Sequence, residues 1–184
     1  SMLKTVEIVE KSKPDIIDIN FGCPAPKVCK NNAGAALLGS PEKLIKMVSA
    51  CIEVSEVPIS AKLRLGTGIG EDTALEISKS LEEIGVIRLC VHGRTLKQGY
   101  RGEADWSKIS KIVDAVTIPV IANGDVIDSN SASLCLEQTG AAGVMIGRGA
   151  IGNPHIFHQI KQDLGIINSK APWVKNEDEW SNID

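Results

Sequence analysis

Aromatic side chains are scarce in this sequence. Phe, Trp and Tyr together make up 3% of its 184 residues, with a single tyrosine. A core built without them must rest on Ile, Val, Leu and Ala, and the apolar content of 43% is ordinary for a globular domain. No C-x-x-C pair occurs among the five cysteines, Cys23, Cys29, Cys51, Cys90 and Cys135, and there are only three histidines. That excludes the spacing of a structural zinc site, and an odd, widely spread set of thiols does not make a disulfide framework, so no metal is expected. Most of these thiols read as small buried apolar groups. No run approaches the ~18 apolar residues of a membrane span, and no signal-peptide pattern opens the sequence. The expectation is a cytoplasmic protein with no membrane partner. The formal charge of −3 lacks the basic excess of a dedicated nucleic-acid binder, while leaving room for a local basic patch.

What is present is a repeating pattern. Five short apolar runs, 15–20, 59–65, 87–92, 119–123 and 143–147, are rich in Ile and Val and nearly continuous, as strands buried on both faces are. Amphipathic stretches separate them. Ser40-Pro41 reads as an N-cap with proline at the first helical position, followed by Leu44, Ile45, Val48, Cys51 and Ile52 on one face. Asp72 reads as the cap of a second helix, with Ala74, Ile77, Leu81 and Ile84 inward and Gly85 as the stop. Trp106, Ile109, Ile112, Val113 and Val116 form a third. Residues 129–139, closed by Gly140, form a fourth, and Asn153-Pro154 opens a fifth. A short helix over 4–9 precedes the first strand. Strict β-α alternation predicts a parallel sheet with helical crossovers, either doubly wound or part of a (β/α)8 barrel. The polar tail after Leu164, with Trp173 and Trp180, has no clear period.

Every strand ends in polar or glycine-rich residues. The first leads through Asn20 to Cys23, and the second carries Lys62 and Arg64. The others end in His92-Gly93-Arg94-Thr95, Asn123-Gly124-Asp125 and Gly147-Arg148-Gly149. A barrel gathers the carboxyl ends of successive strands on one face, whereas an open sheet gathers its polar groups at one switch point, so the barrel is favoured. The last two strand ends read as a phosphate cradle: glycine N–H groups approach an anion closely and Arg148 adds charge. Lys62 lies inside an apolar run, where burial is costly without an anionic partner. It could neutralise a cofactor ring, such as a flavin, that becomes anionic on reduction, or it could snorkel to an edge. His92 could donate to the same cofactor or be structural. Cys23, held between Gly22 and Pro24, could protonate a carbanion, act as a nucleophile, or be an inert buried thiol.

Taken together these residues resemble a known family. The run Asn20-Phe21-Gly22-Cys23-Pro24-Ala25-Pro26-Lys27-Val28-Cys29 is similar to the signature of the tRNA-dihydrouridine synthases. Ala33-Gly34-Ala35-Ala36-Leu37-Leu38 follows it, as in bacterial B-type members. Lys62-Leu63-Arg64-Leu65-Gly66, His92-Gly93-Arg94-Thr95, Ile121-Ala122-Asn123-Gly124-Asp125 and 147–154 match in order, and the resemblance covers about residues 5–162. It implies an FMN-binding barrel that takes reducing equivalents from NADPH and reduces the C5=C6 bond of uridine in tRNA. By the same resemblance Cys23 is the catalytic acid, and Lys62 and His92 contact the flavin. Asn123, Gly124, Asp125, Gly147 and Arg148 hold its ribityl phosphate, and Asn20 lies near the uracil. Arg94, with Lys27, Lys30, Lys97, Arg101 and Lys108, is a candidate contact to tRNA.

The sequence departs from the family pattern in having five strands where a barrel needs eight. The expectation is therefore a partial barrel of about five βα units over 3–162, lacking the first three strands. A tail over 163–184 would lead toward a helical tRNA-binding domain. Exposed strand edges imply self-association or poor stability, FMN binding that is weak or lost in this chain alone, and a fragment inactive by itself. The competing readings are another flavin barrel, such as a dihydroorotate dehydrogenase, and a non-catalytic RNA-binding fragment.

Overall fold

The structure, a computed structural model, describes residues 2–70 and 72–168. The chain opens with helix α1 (Met2–Glu10), then strand β1 (Ile17–Asn20). A one-turn helix α2 (Pro26–Cys29) and a 3₁₀ segment (Gly34–Gly39) carry the chain to α3 (Pro41–Val54). From there it alternates: β2 (Ile59–Arg64), α4 (Ala74–Glu83), β3 (Leu89–His92), α5 (Trp106–Ala115), β4 (Val120–Asn123), α6 (Ser129–Thr139) and β5 (Gly143–Met145). A 3₁₀ turn (Arg148–Ala150) and α7 (Ile156–Asp163) complete the described chain. Residues 169–184, with Trp173 and Trp180, lie outside the described residues, and with them most of the expected tail over 163–184.

All five strands are parallel and lie in sequence order, β1-β2-β3-β4-β5. The order never reverses, so the sheet has no switch point, and each helix steps to the next strand on one side. That is the progression of a (β/α) barrel rather than of a doubly wound sheet.

The strands are two-faced. On one face Ile17, Ile19, Ile59, Ala61, Leu63, Leu89, Val91, Val120 and Ala122 join one buried cluster with Leu44, Val48, Ile77, Leu81, Ile109, Ile112, Ala132 and Cys135 of the helices. The intervening residues point the other way. They are Asp18, Asn20, Ser60, Lys62, Arg64, Cys90, His92, Ile121 and Asn123, in register across the sheet. Burial on both faces of β2 and β3 agrees with the continuous apolar reading, but the second face is polar in chemistry.

Several local expectations change. Ser40 precedes α3 without a side-chain capping bond. Asp72 does not cap α4: Thr73 occupies that position, and Asp72 instead accepts from Lys108 at 2.5 Å. An ion pair to the neighbouring helix displaces the cap. The helix expected to open at Asn153-Pro154 begins at Ile156. The single turn of α2 and the 3₁₀ segment are too short to show a helical period in sequence.

Candidate active site

The polar strand ends open on a cavity of about 700 Å³, within the range of ligand pockets. Asn20, Cys23, Lys62, His92, Asn123, Gly124, Asp125, Gly147 and Arg148 all line it. Arg94, the tenth residue singled out from sequence, does not.

Cys23 is half-buried on the loop after β1. Its backbone carbonyl accepts from Ala35 N–H at 3.0 Å and from the Cys29 thiol at 3.5 Å. The loop closes this tightly because Gly34 has no side chain. At φ +56° a Cβ there would lie 2.7 Å from the Cys23 carbonyl oxygen. Upstream, Gly22 N–H donates to Asn20 Oδ1 at 2.8 Å. Arg64, 2% exposed, donates Nε to the Gly22 carbonyl at 2.8 Å and Nη1 to the carbonyls of Thr95 and Gly99 at 3.0 and 2.8 Å. One buried guanidinium therefore ties the Cys23 loop to the loop after β3.

Lys62 stands in mid-strand on the polar face, and burial lowers its pKa. His92 follows one strand over. Burial first, then the positive charge of Arg64, Lys62 and Arg94, pulls its pKa down to about 3. It is therefore a neutral imidazole near pH 7. Asn123 Nδ2 donates to the Met145 carbonyl at 2.8 Å and ties β4 to β5.

The geometry reassigns Asp125 and Arg94. The Asp125 carboxylate accepts from Arg94 Nη2 at 2.7 and 2.8 Å, from Ala104 N–H at 2.7 Å and from Arg148 Nη2 at 3.2 Å. Burial raises its pKa, but these bonds and charges outweigh it and hold the carboxyl below its ordinary range. As an anion, this side chain cannot itself grip a phosphate; it organises the two arginines that surround it. Arg94 is 2% exposed and donates inward, also reaching the carbonyls of Arg101 and Gly102. That corrects its reading as a cation at the mouth for RNA. Lys108 is likewise paired, with Asp72 and Asp105, whereas Lys27, Lys30, Lys97 and Arg101 are exposed.

Several cavity-lining residues were absent from the sequence-derived site, Tyr100 and Met145 among them. Tyr100 faces Arg64 and Arg148, whose guanidinium carbons lie 5.6 and 5.0 Å from its ring centroid. Its signal was available: it is the one tyrosine of an aromatic-poor chain, close after His92-Gly93-Arg94-Thr95. Met145, at the end of β5, carried no such signal.

A family model described as dihydrouridine synthase matches residues 1–181. The chain belongs to the dihydrouridine synthase family. Among curated dihydrouridine synthases, the "Probable tRNA-dihydrouridine synthase" of Rhodobacter capsulatus is 42% identical over 172 residues, covering 93% of this chain and 53% of the relative. The tRNA-dihydrouridine synthase B of Proteus vulgaris is 42% identical over 163 residues, covering 89% and 50%. The chain thus spans about half the length of the curated relatives it matches. In fold it is similar to N-acetylneuraminate lyase from Mycoplasma synoviae, with a TM-score of 0.60 at 18% identity over 89% of this chain and 52% of that one. At that identity the likeness is one of fold alone.

The donor set at these strand ends suits an anionic group such as a phosphate. Gly124, at φ +118°, lets backbone pass where a Cβ would meet Ala104 at 2.7 Å and His92 at 2.9 Å. Nothing lies within 4 Å of a Cβ built on Gly147, which leaves the cradle open. Arg148 is half-exposed beside it, and Lys62 supplies a second cation.

Proposed function

We propose that this chain carries the catalytic site of a tRNA-dihydrouridine synthase, with FMN as cofactor, NADPH as its reductant and uridine in tRNA as substrate. The observation that supports it best is the convergence of Cys23, Lys62, His92, the Asn123–Asp125 turn and the Gly147-Arg148 turn on one cavity. Bound FMN supplies the reducing equivalent that adds to C6 of the uracil. Cys23 then supplies the proton at C5, so that the C5=C6 bond gains one hydrogen on each carbon. Its loop is fixed through Asn20, Gly34 and Arg64, which aims the thiol and keeps its approach constant. Lys62 would offset negative charge on the flavin ring, and Gly124, Gly147 and Arg148 would hold its phosphate. Asn20 orients the uracil. A reaction on tRNA belongs in the cytoplasm, and the exposed Lys27, Lys30, Lys97 and Arg101 offer contacts to the RNA backbone.

Deleting the gene that encodes this chain and mapping dihydrouridine in the cell's tRNA tests the proposal. Loss at one or more positions is expected, and an unchanged map would refute it. A chromosomal Cys23→Ala change should reproduce that loss while the protein accumulates normally. Undiminished dihydrouridine would remove Cys23 from the mechanism.

A further inference from the structure

His92 has two ring nitrogens, and the structure distinguishes their surroundings. Nε2 lies 3.3 Å from Arg94 Nη1. A guanidinium has donors only, so the nitrogen facing it must be an acceptor. Arg94 cannot turn away, because each of its other partners also needs a donor. Nε binds the Arg101 carbonyl at 3.3 Å, and Nη2 binds the Gly102 carbonyl at 2.6 Å and the Asp125 carboxylate at 2.7 and 2.8 Å. Asp125 is anchored in turn by Ala104 N–H and Arg148. Gly124 packs on the same edge of the imidazole: a Cβ there would lie 2.9 Å from Cδ2 and 3.3 Å from Nε2. No protein hydrogen bond reaches Nδ1, yet it is not among the buried unpartnered atoms of the described residues, and His92 lines the cavity. Nδ1 therefore opens on the cavity.

We infer that Arg94 is a positioning residue that fixes His92 as the neutral tautomer protonated on Nδ1, making the imidazole a one-way hydrogen-bond donor into the cavity. The lowered pKa of the ring agrees with this, since an imidazolium would place a second positive charge against the guanidinium. The chain Ala104 N–H and Arg148, Asp125, Arg94, His92 thus transmits the geometry of the β4 turn to one N–H at the floor of the site. What accepts that N–H rests on the function proposed above: a carbonyl oxygen or ring nitrogen of the flavin.

The tautomer itself can be read in the ligand-free chain. Histidine-labelled protein gives long-range ¹H–¹⁵N correlations that distinguish a protonated from a bare ring nitrogen, and single His→Gln variants assign the three imidazoles. At neutral pH His92 should show hydrogen on Nδ1 and a bare Nε2. An Nε2–H pattern or an imidazolium would overturn the inference without any variant. Arg94→Met should shift His92 toward the mixed pattern of an unrestrained imidazole, and retention of the Nδ1–H pattern in that variant would remove Arg94 from the role. Adding FMN until its fluorescence shows that it is bound should then move the Nδ1–H resonance. If FMN binds and the resonance does not move, the flavin reading fails while the tautomer stands.

Discussion

Burial keeps His92 neutral, and the positive charge of Arg64, Lys62 and Arg94 adds to its effect. The consequence is thermodynamic as well as chemical. The unfolded chain takes up a proton on this imidazole below its ordinary value of 6.5, whereas the folded chain does not until about pH 3. Its neutral-state stability is complete above pH 6.5 and is lost as pH falls toward 3, on the order of a few kcal/mol at about 1.4 kcal/mol per unit. Asp105, Asp125 and Asp128 have pKa values lowered from 3.8, so their own losses begin further down. Denaturation in urea at pH 7, 6 and 5 should show stability falling, and His92→Gln should flatten that slope. An unchanged slope would count against the assignment. Gly34→Ala tests the loop beneath Cys23. A left-handed backbone and a 2.7 Å approach to the Cys23 carbonyl should cost about 1–3 kcal/mol, read as a lower urea midpoint.

Among the helices, capping separates positions that look alike in sequence. Asp128 accepts from Ser131 N–H at 2.7 Å, and Ser131 Oγ accepts from Asp128 N–H at 3.0 Å, a reciprocal box at the start of α6. Ser40 sits before α3 with no such bond. Asp128→Ala should therefore destabilise by about 1 kcal/mol and Ser40→Ala by a few tenths at most. Equal effects in thermal or urea unfolding would show that the side-chain bond is not what matters. Asp72 has a related lesson. Its proximity to α4 made it a cap in sequence, but Lys108 on α5 competes for the carboxylate and wins.

At the scale of the molecule, β1 and β5 are each paired on one side only among the described residues. β1 exposes Asp18 and Asn20, and β5 exposes Met145. Unpaired N–H and C=O groups along an edge invite another strand. Copies of this chain should associate through these edges, with a light-scattering mass that rises with concentration. A single monomer mass at both low and high concentration would rule that out.

Sequence by itself determined the element order, since the period changes from near-continuous apolar runs to a 3.6-residue repeat at each boundary. It also determined much of the cavity lining, because polar residues in or closing apolar strands have no packing reason to be there. Cys23, Lys62, His92 and Arg148 were legible for that reason. Only the tertiary structure decided the partners. Arg94 and Arg148 are both arginines just past strand ends, yet one is buried against Asp125 and two carbonyls while the other reaches the cavity. Their difference depends on the loop over 93–105 folding back across Arg94 and on Asp125, 31 residues away, reaching it, neither of which local periodicity encodes. The two-faced character of β2 was also hidden, because Ser60 and Arg64 are as buried as the apolar residues between them. Burial is a property of the folded sheet, and it is what holds His92 neutral beside three cations.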